Sequence, residues 1–164
     1  MTSHASTSAS GAYARLQSLA APVPAPAPAP AGLYARFSVT GDLVHTSGVV
    51  GRHEGRIIPG PLHSANDVDL GEQAARAAVL QILYAAHEAL GSLDRVDRVV
   101  SLQGYLCTSE GFVDHVRVMN AASALLQAVF PQAPLPVRTT VGVASLPGGG
   151  AVEVSMVLQL QPLP

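Results

Sequence analysis

Two charged side chains, Arg138 and Glu153, stand in otherwise uncharged stretches near the C-terminus. An arginine carries a permanent positive charge in a planar fork, which suits two-point contact with a carboxylate. A glutamate can position a water molecule or relay a proton. The pair therefore indicates a site for a small carboxylate-bearing molecule. Two plainer interpretations stay open: Arg138 forms a structural ion pair with Glu153 or another acid, or Glu153 is a solvated strand residue.

Both residues fall in segments with the period-two alternation of β-strands, residues 137–143 and 152–158. The glycine-rich stretch at residues 146–150 predicts that the strands form a hairpin, with one face apolar and with Arg138 and Glu153 on the other. If the hairpin closes at the centre of this turn, Glu153 lies opposite Gly142, about 13 Å along the strand from Arg138. One subunit would struggle to bring both side chains onto one small ligand. A site shared between subunits would solve this.

The elements upstream supply the scaffold. Alternation and turn signals predict a β-hairpin, a helix, a strand and a second helix, at residues 35–47, 69–90, 97–106 and 110–129. Asp69 and Glu72 fit the capping box of the first helix, Gly91 fits its C-terminal stop, and Ser109 is the expected cap of the second. The order β-β-α-β-α-β-β predicts an α+β domain of two layers, in which both helices cover one face of a mixed sheet. The other face is left to water or to another subunit.

The N-terminal 31 residues differ in composition from the rest. They begin with Ser, Thr and Ala, allow a short helix at residues 13–20, and end in a Pro-Ala repeat typical of an extended polyproline II segment. We interpret residues 1–31 as disordered or extended, with the repeat as a stiff tether rather than a ligand for a proline-binding groove. Residues before about Ala21 are expected to be dispensable for folding. Residues 32–162 are predicted to form a single domain.

Composition limits the functions that fit. The 164 residues carry a formal net charge of −2 and only 12% charged side chains, without a basic block, so nucleic acid is not an expected partner. The sparse charge favours self-association. No apolar run is long enough for a transmembrane helix, and the single cysteine, Cys107, suits a reducing compartment. We therefore predict a cytoplasmic protein without membrane contact. The histidines lack the spacing of a zinc motif, so no metal site is expected.

Four segments together resemble the reactive-intermediate deaminase family, also called RidA or YjgF-like. They are PAGLYARFSVTGDLVHTSG, LGEQAARAAVLQIL, LGSLDRVDRVVSLQGYL and VRTTVGVASLPGGGAVEV, in that order. The last is similar to the family's arginine strand, Leu-Pro turn and glutamate strand, with the same spacing from Arg138 to Glu153. The resemblance, to a less-characterised branch, implies a chorismate-mutase-like fold. It also implies a homotrimer with a central barrel and three ligand clefts between subunits.

The resemblance further implies an activity and a set of residues. The family hydrolyses enamines and imines, such as 2-aminoacrylate, to a keto acid and ammonia, and needs no metal or organic cofactor. By position, Arg138 matches the arginine that holds the substrate carboxylate, and Glu153 the glutamate that orients or activates water. Asn120 matches an asparagine of the second helix, and Tyr34 a tyrosine near the cleft mouth. Thr140 stands where the best-studied members have a ligand-contacting cysteine, so we assign it a backbone role and leave the substrate open.

Three functions compete at this point. The first, and the prediction, is an imine or enamine deaminase, which is a hydrolase acting on carbon–nitrogen bonds. The second is a noncatalytic metabolite-binding or chaperone-like trimer that keeps the cleft without the chemistry. The third is a ribonuclease, which the acidic balance and the absence of aromatic–basic clusters disfavour. Rapid release of ammonia from 2-iminopropionate distinguishes the first function from the second.

Overall fold

The computed structural model describes residues 11–19 and 32–162. Within them the α-helices are α1 (Ala12–Leu19), α2 (Val68–Leu90) and α3 (His115–Val129). The strands are β1 (Phe37–Thr40), β2 (Leu43–Thr46), β3 (Val49–Val50), β4 (Arg52–His53), β5 (Arg56–Ile57), β6 (Val96–Cys107), β7 (Val137–Val143) and β8 (Val152–Leu160). Single 3-10 turns lie at Ala65–Asp67, Leu93–Arg95 and Pro147–Gly149. The predicted α+β class is confirmed.

The main sheet has the strand order β1-β2-β8-β6-β7, with β3 also paired to β8, while β4 and β5 form a separate two-stranded sheet. All pairings in the main sheet are antiparallel except that of β6 with β7. The two long helices pack against each other and cover one face, because the buried residues of β6, β8, α2 and α3 join in a single apolar core. The helix layer and the hairpin of β1 and β2 agree with the sequence prediction.

The glycine-rich turn does not close a hairpin. β6 lies between β7 and β8 and forms hydrogen-bonded ladders with both. Arg138 of β7 lies beside Leu102 of β6. Glu153 of β8 lies beside Tyr105, so the predicted pairing of Glu153 with Gly142 is wrong. Alternation shows where a strand runs, but the choice of partner depends on packing between distant segments, so an inserted third strand leaves no local signal.

Arg138 and Glu153 lie on opposite faces of the sheet. Residues paired across neighbouring strands point to the same face, and Leu102, beside Arg138, is fully buried under the helices. Tyr105, beside Glu153, is 36% exposed on the face that the helices leave open. The prediction that the two charged residues share a face is therefore wrong. Each strand alternates as predicted, but neither segment encodes the phase of one strand relative to the other.

The first long helix starts one residue before the predicted cap and uses a different capping motif. Ser64 caps the 3-10 turn that leads into α2, and its capping-box partner is Asp67. The Asp67 carboxylate accepts hydrogen bonds from the backbone N–H groups of His63 at 2.8 Å and Ser64 at 3.0 Å. The capping box predicted at Asp69 and Glu72 is wrong. Ser64 and Asp67 have the same three-residue spacing, five residues earlier in the chain, and form the capping box instead. The predicted end is confirmed, with Gly91 in the left-handed conformation at φ 78°.

The second long helix is shorter than predicted. α3 begins at His115 rather than at residue 110, and Ser109 donates its hydroxyl to the carbonyl of His63 at 3.4 Å instead of capping the helix. Gly111 adopts a positive φ of 87°, which breaks any helix that would start before it. The predicted end at Val129 is confirmed.

The short N-terminal helix is present and belongs to the main core. α1 buries Leu16 completely, and Tyr13 stacks on His87 with 3.5 Å between ring centroids. The guanidinium Nε of Arg15 donates to the carbonyl of Val129 at 2.7 Å. These contacts conflict with the prediction that everything before Ala21 is dispensable, because a fully buried leucine contributes several kcal/mol, typically ~2–5 when truncated. The Pro-Ala repeat lies outside the described residues.

The ends of the main sheet carry unpaired strand edges in the described part of the chain. β1 pairs only with β2, and the seven-residue β7 pairs only with β6. On β7, Val137 and Val141 are 72% and 40% exposed. Edge strands of this length attract pairing partners unless charge or a bulge protects them.

None of the helices in residues 11–19 and 32–162 is both long and apolar enough to cross a membrane.

Candidate functional site

Arg138 is held in place by two hydrogen bonds from a single nitrogen. Its backbone lies on the edge strand β7, and its side chain reaches over the sheet edge to α3. There Nη1 donates to Asn120 Oδ1 at 3.1 Å and to Ser123 Oγ at 2.8 Å. Nε and Nη2 make no hydrogen bond with any described residue. This free edge has the geometry that a carboxylate uses for two-point contact, so the arginine is oriented before any ligand arrives.

Thr140 lies on the same face as Arg138, two residues further along β7. It pairs with Gly104 of β6, at which a side chain would collide with Met119 of α3. The Thr140 hydroxyl is shielded from solvent and has no hydrogen-bond partner among the described residues. A hydroxyl buried in this way is not exposed to a ligand at the strand edge. The backbone role assigned to Thr140 from the sequence stays a prediction. We refer to Arg138, Asn120, Ser123 and Thr140 as the arginine edge.

Glu153 lies on the opposite face and lines a cleft of about 550 Å³. The cleft runs between the first hairpin, α2 and the turn at Pro147, and Tyr34 stands on its rim, 51% exposed. The Glu153 side chain is half-buried, and no described residue forms a hydrogen bond or ion pair with its carboxylate. Burial without a compensating partner raises the pKa of Glu153 above its ordinary value. We refer to this pocket as the glutamate cleft.

Gly48 makes room for the Glu153 carboxylate. A Cβ atom at this position would overlap with Glu153 Oε1, so any other residue would push the carboxylate away. Gly48 follows β2 and lines the cleft itself. The requirement for glycine here comes from this close approach rather than from an unusual backbone angle.

One chain thus divides the five predicted site residues into two groups. Arg138, Asn120 and Thr140 belong to the arginine edge, whereas Tyr34 and Glu153 belong to the glutamate cleft. No ion pair joins Arg138 to Glu153 within the described chain, so that alternative from the sequence is not what holds Arg138.

Sequence reasoning missed several residues around both groups. Ser123 was assigned no role from the sequence, yet it makes the shorter of the two bonds to Arg138. Its position three residues after Asn120 on a helix was the available signal. Arg36 and Arg52 both line the glutamate cleft, although the loop containing Arg52 was assigned no role. The buried Gln81 also lines it and donates to the carbonyl of Ala77 at 3.0 Å.

Neither a cluster of metal-ligating side chains nor an exposed thiol occurs in the described part of the chain. No group of three His, Cys, Asp or Glu residues suited to a metal ion occurs within residues 11–19 and 32–162. Cys107 is buried, with its Sγ 3.6 Å from the carbonyl oxygen of Ala144. The charged side chains that the arginine edge and the glutamate cleft contribute are Arg36, Arg52, Arg138 and Glu153.

Comparison with known proteins assigns the family. The model of the family described as Endoribonuclease L-PSP matches residues 25–159, so the chain belongs to this family, the YjgF/RidA family. Protein TCP17 of Trypanosoma cruzi is 40% identical over 129 residues, which are 77% of this chain and 81% of that protein.

Solved structures share the fold. A protein of unknown function from Agrobacterium tumefaciens is 28% identical, with a TM-score of 0.78 over 92% of each chain. RidA from an Antarctic Psychrobacter species is 25% identical, with a TM-score of 0.59 over 82% of this chain and 94% of its own. The family resemblance inferred from the four sequence segments is thereby confirmed.

Proposed function

We propose that this protein is a deaminase that hydrolyses imines or enamines of amino-acid origin to a keto acid and ammonia. The observation that carries the proposal is the arginine edge, where Arg138 is fixed through Nη1 and keeps Nε and Nη2 for a carboxylate. Membership of the YjgF/RidA family supports the same reaction. The unpartnered Glu153 supplies the second group that hydrolysis needs, a base for water.

The reaction uses few tools because an imine carbon is already electrophilic. As the water oxygen bonds to this carbon, Glu153 accepts one water proton and passes it to the imine nitrogen. The resulting carbinolamine then expels ammonia: its C–N bond breaks, and its hydroxyl proton travels through Glu153 to the departing nitrogen. A raised pKa makes Glu153 a stronger base than an ordinary glutamate and suits this back-and-forth transfer. Arg138 holds the substrate carboxylate so that the imine carbon stays beside the water.

The complete site is formed between copies of the chain. Arg138 and Glu153 lie on opposite faces of one sheet, so a small ligand cannot touch both within one copy. A second copy packed on the unpaired β7 edge would bring its glutamate cleft to the arginine edge of the first. A trimer closes such head-to-tail contacts into a ring with three equal sites. Sedimentation showing only monomer at micromolar concentration contradicts this arrangement.

The direct test of the activity is ammonia release. 2-Iminopropionate is generated in situ from alanine by an amino-acid oxidase. The release of ammonia from this imine is followed with and without the protein. We expect the wild-type protein to accelerate hydrolysis, and a matched exposed-surface variant, Glu88→Gln, to do the same. Binding of keto acids without acceleration would instead support the noncatalytic, metabolite-binding alternative. Ribonuclease activity is disfavoured, because the chain has a net charge of −2.

A further inference from the structure

The glutamate cleft contains two cations that hydrolysis of a simple imino acid does not require. Arg36 and Arg52 both line it, and Glu153 is the one acidic side chain among the described residues of its lining. A monocarboxylic imine needs one arginine, and Arg138 of the neighbouring copy already supplies it. A guanidinium group in a partly desolvated pocket calls for a negative charge on the ligand where the pocket's own acid does not neutralise it.

Arg52 presents a free donor edge in the same way as Arg138. It lies on β4, and its Nη1 donates to the carbonyl oxygen of Gly55 at 3.2 Å across the turn of the β4–β5 hairpin. Its Nε and Nη2 make no hydrogen bond with any described residue. Although Arg52 and Glu153 line one cleft, they form no ion pair within the described chain. The positive charge of Arg52 is therefore not neutralised by the cleft's own acid.

The size of the cleft points the same way. Its volume of about 550 Å³ lies in the range of pockets that hold ligands much larger than a three-carbon imino acid. A substrate with only a methyl group beyond the imine carbon would leave the guanidinium group of Arg52 in contact with water. A longer substrate that ends in a second anion would reach it.

We propose that the glutamate cleft binds an imine or enamine acid that carries a second oxyanion, and that Arg52 binds this second group. The inference rests on the proposed function and names its substrate class. The oxyanion is a side-chain carboxylate or a phosphate-type group, since a guanidinium fork fits both. Arg52 is thus a specificity-determining residue, distinct from Arg138, which holds the carboxylate next to the reacting carbon.

The first experiment measures a ratio. The value of kcat/KM for 2-iminoglutarate is divided by that for 2-iminopropionate, with both imines generated in situ by oxidases. We expect the wild-type ratio to exceed about ten and to fall about tenfold or more in Arg52→Gln, since one charge-assisted contact is lost. The matched control is Arg56→Gln, an exposed arginine on the same hairpin that does not line the cleft. A wild-type ratio near one, or equal ratios in the two variants, overturns the proposal.

The second experiment separates this inference from the deaminase itself. Calorimetric titration compares 2-oxobutyrate, 2-oxoglutarate and 2-oxo-4-phosphonobutyrate, which differ in the terminal group. Tighter binding of either doubly anionic ligand to the wild type, lost in Arg52→Gln and kept in Arg56→Gln, supports the second-anion site even if no imine is hydrolysed. Whichever of 2-oxoglutarate and 2-oxo-4-phosphonobutyrate binds more tightly identifies the second oxyanion as a carboxylate or as a phosphate-type group. Ammonia release from imines together with equal binding of all three ligands overturns the second-anion site alone.

Discussion

The arginine edge and the glutamate cleft prepare their charged groups in opposite ways. Arg138 is hydrogen-bonded on one nitrogen by two residues of α3. Glu153 has no hydrogen-bond partner among the described residues and sits in a pocket that raises its pKa. A binding group profits from being fixed before the ligand arrives, whereas a proton-transfer group profits from being easy to protonate. The two regions therefore divide binding from chemistry, and each can be disturbed separately.

The largest effect is expected at Glu153. Glu153→Gln keeps the shape but removes the base, so kcat should fall about a hundredfold to ten-thousandfold while ligand binding changes little. In the wild type, the acid limb of the kcat profile should lie above the ordinary glutamate pKa of about 4.3, because the raised pKa keeps the group protonated to higher pH. A steady-state pH series measures both. An unchanged kcat in Glu153→Gln would remove Glu153 from the mechanism.

Although Glu153→Gln should lower kcat, it should not lower the free energy of unfolding at neutral pH. A carboxyl whose folded pKa is raised stabilises the folded state below its unfolded pKa, and this contribution is lost as the pH rises through the folded value. Glu153→Gln should therefore be at least as stable as the wild type at neutral pH. Thermal melts at acidic and neutral pH check this, and a marked loss of stability at neutral pH would indicate a structural role.

Arg138→Ala should come next, with kcat/KM lowered roughly thirtyfold to several-thousandfold, because about 2–5 kcal/mol is lost when a buried charge loses its partner. Arg138→Lys should recover only part, since an ammonium cannot form the two-point contact. The core lies elsewhere, so Arg138→Ala should keep its fold and assembly. Near-normal turnover would show that Arg138 does not hold the substrate carboxylate, and lost activity in a dissociated or unfolded protein would favour a structural role.

Mixing two inactive variants tests whether the two regions meet between copies. If Arg138→Ala and Glu153→Gln are unfolded together and reassembled in equal amounts, half of the arginine edges and half of the glutamate clefts are intact. Random assembly should then restore about a quarter of the wild-type activity. Ammonia release before and after reassembly is the measurement. No recovery, in a mixture shown by mass to contain mixed trimers, would place both residues in one chain's site.

A smaller effect is expected at Ser123. Ser123→Ala removes the shorter hydrogen bond to Arg138 Nη1, so the guanidinium is held by Asn120 alone. One hydrogen bond of about 0.5–1.5 kcal/mol corresponds to roughly a twofold to twelvefold rise in KM, with kcat close to the wild type. Ser18→Ala, at an exposed serine of α1, is the control. A fall in kcat at constant KM would mean that Ser123 acts in the chemical step.

The smallest effect is expected at Thr140. Thr140→Cys should leave activity on small imino acids within roughly tenfold, because the buried hydroxyl has no partner to lose and the backbone keeps its place in β7. Turnover of several imino acids provides the measurement. A hundredfold change in either direction would show that this side chain selects the substrate.

The class of fold, the family and the residue types of the candidate site follow from local patterns of the sequence. Helix stripes and strand alternation are local signals with periods of 3.6 and 2 residues, and the glycine stop at Gly91 is local as well. Arg138 and Glu153 stood out because each interrupts an uncharged strand. The capping box before α2 was predicted at the wrong residues, because Ser64 with Asp67 and Asp69 with Glu72 both have the spacing of this motif.

The relative orientation of those residues depends instead on strand pairing in the folded sheet. The insertion of β6 between β7 and β8 put Arg138 beneath α3 and Glu153 on the open face, and no segment of the chain carries that information. The same holds for Ser123, Arg52 and Gly48, whose roles arise from neighbours far away in sequence. Strand partners are selected by the burial of the whole sheet against the helices, so the energy that fixes them is spread over the core and is absent from any local motif.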